Sequence, residues 1–117
     1  MSILDLFIVE AGVGIALAGT IICIYWYVYW KSNFQGKLLT DGPYVYVRHP
    51  LYSGFLLLTA GLAIALPVYE TRFLLIITIA VLIVYIPKEE ESLLRHYKQK
   101  YKDYIEHVPY RLIPFIY

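Results

Sequence analysis

Residues Ala11 to Trp30 read AGVGIALAGTIICIYWYVYW, twenty residues without a charge. A helix of about twenty apolar residues crosses the roughly 30 Å hydrocarbon core of a bilayer. Two later blocks share this character. Leu51 to Tyr69 runs nineteen residues without a charge, and Phe73 to Pro87 adds fifteen. Of the 117 residues, 60% are hydrophobic, more than a soluble domain of this size usually carries. The fold class read from this pattern is an all-α membrane protein of one domain, residues 1–117. Its three transmembrane helices fall at about 11–30, 51–69 and 70–87, the second and third forming a helical hairpin. The third block is short and needs help from the interface.

Charge fixes the expected orientation. Every Lys and Arg except Arg72 lies in the 31–50 loop or after Pro87. The positive-inside rule makes both segments cytoplasmic and leaves the N-terminus and the turn at Glu70–Arg72 outside. An odd number of spans satisfies that arrangement. Asp5 and Glu10 stand where a secretory signal carries basic residues, which argues against a signal peptide. Cys23 is the one cysteine, so no intrachain disulfide forms, and its mid-span position suits an inert thiol.

Working outward from the first span, Gly12, Gly14, Ala16, Ala18 and Gly19 crowd its outer half. Small residues admit close approach in lipid, so this half packs against another helix or a second copy of the chain. The inner end, Tyr25 to Trp30, reads as an aromatic belt at the water boundary. Gly36 marks a turn in the polar connector, and Pro67 ends or kinks the second span. Val68–Thr71 reads as the tight turn of the hairpin. Beyond Pro87 the residues Glu90, Leu93, Leu94, Tyr97, Tyr101 and Tyr104 share one helical face, predicting an amphipathic C-terminal cytoplasmic helix. Glu90 heads that face, with Glu89 and Glu91 turned about 100° to either side. The proline-broken tail from Val108 to Tyr117 is expected to fold back and pack its aromatics near the interface.

Between the first two spans lies Gly42-Pro43-Tyr44-Val45-Tyr46-Val47-Arg48-His49-Pro50-Leu51-Tyr52-Ser53-Gly54. Pro50 disfavours a helical His49 and suits the first turn of the next helix. Unpaired amides near that helix start could face a ligand. Charged groups beside a bilayer raise the prior for function, against the plain alternative of a structural ion pair between Arg48 and Glu90. His49, His96 and His107 are far apart in sequence with no cysteine among them, so no metal site is expected. No phosphate loop, dinucleotide fingerprint or Ser/His/Asp set is present. The scattered basic residues fit anionic lipid rather than nucleic acid as a partner.

The ordered set Gly42-Pro43-Tyr44, then Val47 to Gly54, then Glu90-x-x-Leu93, Tyr101-x-x-Tyr104 and Val108-Pro109 resembles the isoprenylcysteine carboxyl methyltransferase family. Related phospholipid methyltransferases share much of it. The resemblance covers roughly residues 36–115 and implies an S-adenosylmethionine-dependent enzyme. Its cofactor would sit in a cytoplasmic pocket capped by the C-terminal segment, with a lipophilic acceptor, a prenylated cysteine or a lipid, entering from the bilayer. Carried over by motif, Gly36, Lys37, Leu38, Leu39 and Tyr44 would line the cofactor pocket, followed by His49, Pro50, Leu51, Tyr52 and Glu90. Arg48 and Glu90 would be the catalytic pair. The family's carboxyl methyltransferases carry an arginine a few residues before the glutamate; Tyr85-Ile86-Pro87-Lys88 stands there instead, so a substrate carboxylate would rely on Arg48 or Lys88. Larger members have extra N-terminal spans, so the acceptor cavity is expected to be minimal or completed by a second copy through span one. Two rivals stand behind this reading. One is an NADPH-dependent sterol-reductase-like enzyme, which the ending Val108 to Tyr117 also resembles. The other is a non-catalytic membrane scaffold.

Overall fold

The computed structural model describes residues 2–117. Four helices account for the fold: α1 (Ile3–Asn33), α2 (Pro50–Ala65), α3 (Tyr69–Tyr97) and α4 (Gln99–His107), with a 3-10 turn at Gly42–Val45. No strand occurs among the described residues. The molecule measures 54 × 26 × 24 Å.

Helix α1 begins well before the expected span. Ser2 caps it, its hydroxyl accepting from the Asp5 amide at 3.1 Å while the Asp5 carboxylate accepts from the Ser2 amide. That reciprocal cap satisfies two orphan donors and lets the acidic lead join the helix. At 31 residues α1 is about 46 Å long, more than a hydrocarbon core requires. Its small residues find their partner inside the chain. A Cβ at Gly12 would meet Ala65, one at Gly61 would meet Ala16, and one at Gly19 would meet Gly54 and Leu58. As numbers rise on α1 they fall on α2, so the two helices are antiparallel in backbone contact. Gly14 points elsewhere and has nothing within 4 Å. The seam therefore covers the Gly12, Ala16 and Gly19 face, and a second copy would have to dock on another side of α1.

Helix α2 starts at Pro50, as the fixed φ and missing amide of proline favour, and stops at Ala65 before Leu66-Pro67. Its 16 residues extend about 24 Å. The turn occupies Leu66–Val68, and Tyr69 to Thr71, read from sequence as part of it, are already helical. The Thr71 hydroxyl closes it by donating to the Leu66 carbonyl at 2.5 Å. Tyr52 meets Tyr85 and Leu56 packs on the Leu82–Ile86 cluster, so α3 returns antiparallel to α2.

Pro87 does not end α3. The helix carries it in its interior and continues to Tyr97, because one missing donor is tolerated where the rest of the helix holds its bonds. The expected single helix beyond Pro87 is instead split at Lys98, whose φ of 52° leaves the helical region. On the far side of that break α4 buries Tyr101 and Tyr104 and exposes Lys100, Lys102 and Asp103. The tail does fold back. Leu112 and Val108 are its buried residues, whereas Phe115 is 86% exposed, so aliphatic side chains make the packing that the aromatics were expected to make.

Helices α1 and α3 are both long and apolar enough to cross a membrane. Large apolar side chains on both, such as Phe7, Ile21, Ile24, Phe73, Ile76 and Ile83, are exposed. Thr20, Thr59 and Thr78 donate to carbonyls of their own helices, so these three hydroxyls are paired without water. This inside-out distribution suits lipid.

Candidate active site

The charged end of the bundle brings together segments that are far apart in sequence. The Arg48 and His49 amides donate to the carbonyls of Tyr110 and Arg111 at 2.8 and 3.0 Å, so the tail is zipped to the segment before α2. Ser53 extends the zipper, its hydroxyl donating to the Leu112 carbonyl at 2.6 Å. Tyr104 donates to the Tyr44 carbonyl at 2.6 Å, tying α4 to the 3-10 turn. Tyr44 in turn accepts from Trp26 Nε1 of α1 at 2.7 Å.

Glu90 sits at the centre of this end, 6% exposed. Its Oε2 lies 2.8 Å from Arg48 Nε and 3.0 Å from His49 Nε2; its Oε1 lies 2.9 Å from Arg111 Nε. Tyr101 donates a further bond to Oε2 at 3.3 Å. Three residues past the apolar stretch of α3, the carboxyl feels two opposed influences. Burial pushes its pKa up; the His49 hydrogen bond and the charges of Arg48, His49 and Arg111 more than offset this and hold it below the usual carboxylate value. Burial raises the Tyr101 and Tyr104 hydroxyls, keeping both protonated as donors. The Arg48 contact is an ion pair and not a hydrogen bond, because its N–H is not aimed at the carboxylate.

A cleft of about 270 Å³ opens beside this cluster. Of the residues expected at a cofactor site, Lys37, Leu38, Leu39, Tyr44, Arg48 and His49 border it. Pro50, Leu51 and Tyr52 border an adjoining recess of about 70 Å³ that shares Arg48, His49 and Tyr44 with the cleft. Gly36 borders neither; its φ is +78° and its carbonyl accepts from Tyr97 at 3.3 Å, closing one wall. Glu90 is directed inward, as its helical face predicts, but it borders neither hollow. The acid that does is Glu89, which borders both and accepts from Tyr52 at 2.8 Å.

Sequence reading missed four other participants. Trp26, Trp30 and Phe34 form one cleft wall in a stacked ladder, with centroids 5.8 and 5.3 Å apart. Their i, i+4, i+8 spacing was the available signal, hidden within a belt of similar rings. Arg111 is the fourth. No periodicity exists in a proline-broken tail to point it at Glu90.

Comparisons with known proteins find two methyltransferases and a reductase among the relatives. A protein-S-isoprenylcysteine O-methyltransferase B of Arabidopsis thaliana is 34% identical over 82 residues, covering 68% of this chain and 41% of its own length. A methanethiol S-methyltransferase of Crocosphaera subtropica is 35% identical over 96 residues, covering 80% of this chain and 35% of its own. A delta(14)-sterol reductase of Mus musculus is 34% identical over 87 residues, 69% of this chain but 20% of its own length. The chain thus spans less than half the length of these relatives. No solved structure matches it. The phospholipid methyltransferase model matches residues 6–100. A membrane methyltransferase is therefore the class that fold and relatives define together. The chain belongs to the phospholipid methyltransferase family, whose matched stretch takes in α1 and ends before the tail that carries Arg111.

Proposed function

We propose that this protein transfers the methyl group of S-adenosylmethionine to a lipophilic acceptor held at the membrane face, an isoprenylcysteine carboxylate or a related group. The observation that carries this reading is the cleft at the charged end of bilayer-length helices, walled by stacked aromatics and holding both an acid and a base. With its recess the cleft stands near the lower end of small-molecule sites, roughly 300–1,000 Å³. Its residues fit the donor: Trp26, Trp30 and Phe34 for a purine ring, Glu89 for an ammonium, and Leu38, Leu39 and Tyr44 for the ribose side. When bound, the donor supplies a methyl already activated on a sulfonium.

The chain's own part is then alignment and exclusion of water. Gly36 to Leu39, Tyr44 and His49 to Tyr52 line or close the site, while Glu90 acts on it by fixing Arg48 and His49. In this reading α2 is a third, short crossing, the N-terminus lies outside, and the 31–50 loop and the tail are cytoplasmic. A second hollow of about 320 Å³, almost wholly apolar, lies between α1, the start of α2 and the tail, and meets the recess at Pro50. It would take the acceptor's apolar chain. Filling it with Leu57→Trp should lower methyl transfer and leave donor binding intact.

Calorimetry of S-adenosylhomocysteine with detergent-solubilised protein tests the donor, and labelled methyl transfer to prenylcysteine and to amine-bearing or thiol-bearing lipids tests the acceptor. Saturable binding weakened about tenfold or more by Glu89→Gln is expected. Absence of nucleoside binding by folded protein sinks the reading, and binding of NADPH alone would shift it to the reductase.

A further inference from the structure

The tail residues Leu112-Ile113-Pro114-Phe115-Ile116-Tyr117 carry no charge. Leu112 is buried, while Ile113, Phe115, Ile116 and Tyr117 are exposed. The turn they form pairs its own backbone. The Ile116 and Tyr117 amides donate to the Ile113 carbonyl at 3.1 and 3.0 Å, and the Leu112 amide donates to the main-chain oxygen of Tyr117 at 3.2 Å. Paired backbone groups approach hydrocarbon at far lower cost than free ones. At the apex Phe115 has a φ of 66°, a left-handed conformation that turns ordinarily give to glycine or asparagine. The chain places there an aromatic ring that meets Tyr110 with centroids 5.5 Å apart and is otherwise left open. A strained backbone that holds a large apolar ring outward points to a surface that receives the ring.

The position of the turn says what that surface is. Ile113 and Tyr117 share a hollow of about 170 Å³ with Leu56 of α2 and with Ile79 and Ile83 of α3. Ile83 and Ile79 precede Glu90 by seven and eleven residues, about 10 and 16 Å along the helix. The tail thus descends from the charged end onto the flank of a helix long and apolar enough to cross a membrane. Ile79 and Ile83 are exposed on that flank, so the open side of the turn continues the lipid-facing side of α3. The turn is also tied to the charged cluster. Arg111 donates through Nη1 to the Tyr117 hydroxyl at 3.1 Å while its Nε pairs with Glu90.

We propose that the turn over residues 113–117 is a membrane wedge, with Phe115 and Ile116 seated among the acyl chains of the bilayer. Lipid thereby holds the tail, and Arg111 with it, against Glu90. The assignment rests on the crossing of α3 and is independent of the methyl donor and acceptor.

Nitroxide labels on the full chain in phosphatidylcholine bilayer discs test the location. Cys23→Ala clears the native thiol, and Phe115→Cys or Ile116→Cys supplies the labelling site. Ile83→Cys on the flank of α3 and Lys102→Cys on the exposed side of α4 are the references. Oxygen concentrates in lipid and a nickel chelate in water. Labels at 115 and 116 should favour oxygen over nickel, as at 83 and opposite to 102. Should Phe115→Cys free the tail, Ile116→Cys keeps the ring and decides alone. Nickel access at 116 equal to that at 102 overturns the proposal. Loss of access to both reagents does so too, because it marks a protein contact such as a second copy. Nickel access at 83 removes the crossing itself and the proposal with it. Phe115→Gly supplies a second arm, since it suits the left-handed backbone but deletes the ring. Were Phe115 only a turn residue, glycine would tighten the tail. Loss of a wedge should instead speed trypsin cleavage after Arg111 in the discs by roughly tenfold or more, and Phe115→Trp should keep the original rate. Cleavage unchanged or slowed by Phe115→Gly overturns the proposal.

Discussion

Along the seam between α1 and α2, Gly12, Ala16 and Gly19 bring two helices into backbone contact with no charged side chain between them. At the other end of the molecule a single carboxylate, Glu90, gathers Arg48 from the loop, His49 from the start of α2 and Arg111 from the tail. The seam is cohesion by shape, which lipid cannot imitate as well as a close-fitting helix can. The knot is cohesion by charge, and it works only while every partner is present. One region should respond to volume and ignore pH; the other should do the reverse.

The largest effect is expected at the knot. Glu90→Ala leaves two arginines and a histidine around an empty position, and breaking a buried ion pair from one side costs about 3–5 kcal/mol. Thermal unfolding in detergent should show a large loss of stability, together with protease sensitivity of the tail, which loses its Arg111 anchor. Stability within about 1 kcal/mol of the unaltered protein would mean that the cluster is a surface ion pair and the comparison fails.

Next comes the seam. A Cβ at Gly19 would run into the Gly54 carbonyl oxygen and the Leu58 amide, and one at Gly61 would run into the Ala16 amide. These neighbours are backbone, so no rotamer change relieves the clash. Gly19→Ala and Gly61→Ala should each destabilise by about 1–3 kcal/mol and separate the helices, with an unchanged pH profile. Titration sharpens the contrast. Glu90 has a pKa depressed by its partners despite burial, so its contribution is complete above the unfolded carboxyl value of about 4.3 and is lost as pH falls through the lower folded value. Unfolding followed from pH 7 to 3 should be flat and then fall. Glu90→Gln should remove the acid-dependent part of that fall, and the glycine variants should keep it.

The two regions were not equally legible. Small residues at 12, 16 and 19 announced a close contact, but periodicity cannot say whether the partner is a neighbour in the chain or another copy. The position of Glu90 on its helix said inward, which was right, and pairing with Arg48 and His49 followed from the hairpin. What inward meant could not be read. A carboxylate held by two arginines, a histidine and a tyrosine has no lone pair left for a ligand, so the cleft fell to Glu89, one residue earlier. That assignment depends on where α4 turns, and α4 turns at Lys98, which offers neither glycine nor proline as a signal. The φ of 52° there is imposed by the burial of Tyr101 and Tyr104 against Leu38 and Tyr44, a tertiary gain outweighing a local preference. Pro87 misled for the converse reason: a strong local signal was overridden by helix bonds on both sides.

The smallest expected effect is the control for the seam. Gly14 lies on α1 between Gly12 and Gly19 in sequence, yet a Cβ placed on it meets nothing within 4 Å. Gly14→Ala should therefore add no clash, and the greater conformational freedom of glycine in the unfolded chain makes the change neutral or stabilising by up to about 1 kcal/mol. The sign is what matters. Measured beside Gly19→Ala under the same conditions, opposite signs would show that contact with α2, and not glycine content, is what the small residues of α1 supply. Destabilisation of equal size at Gly14 would place a second tight neighbour on that face and return a second copy of the chain to consideration.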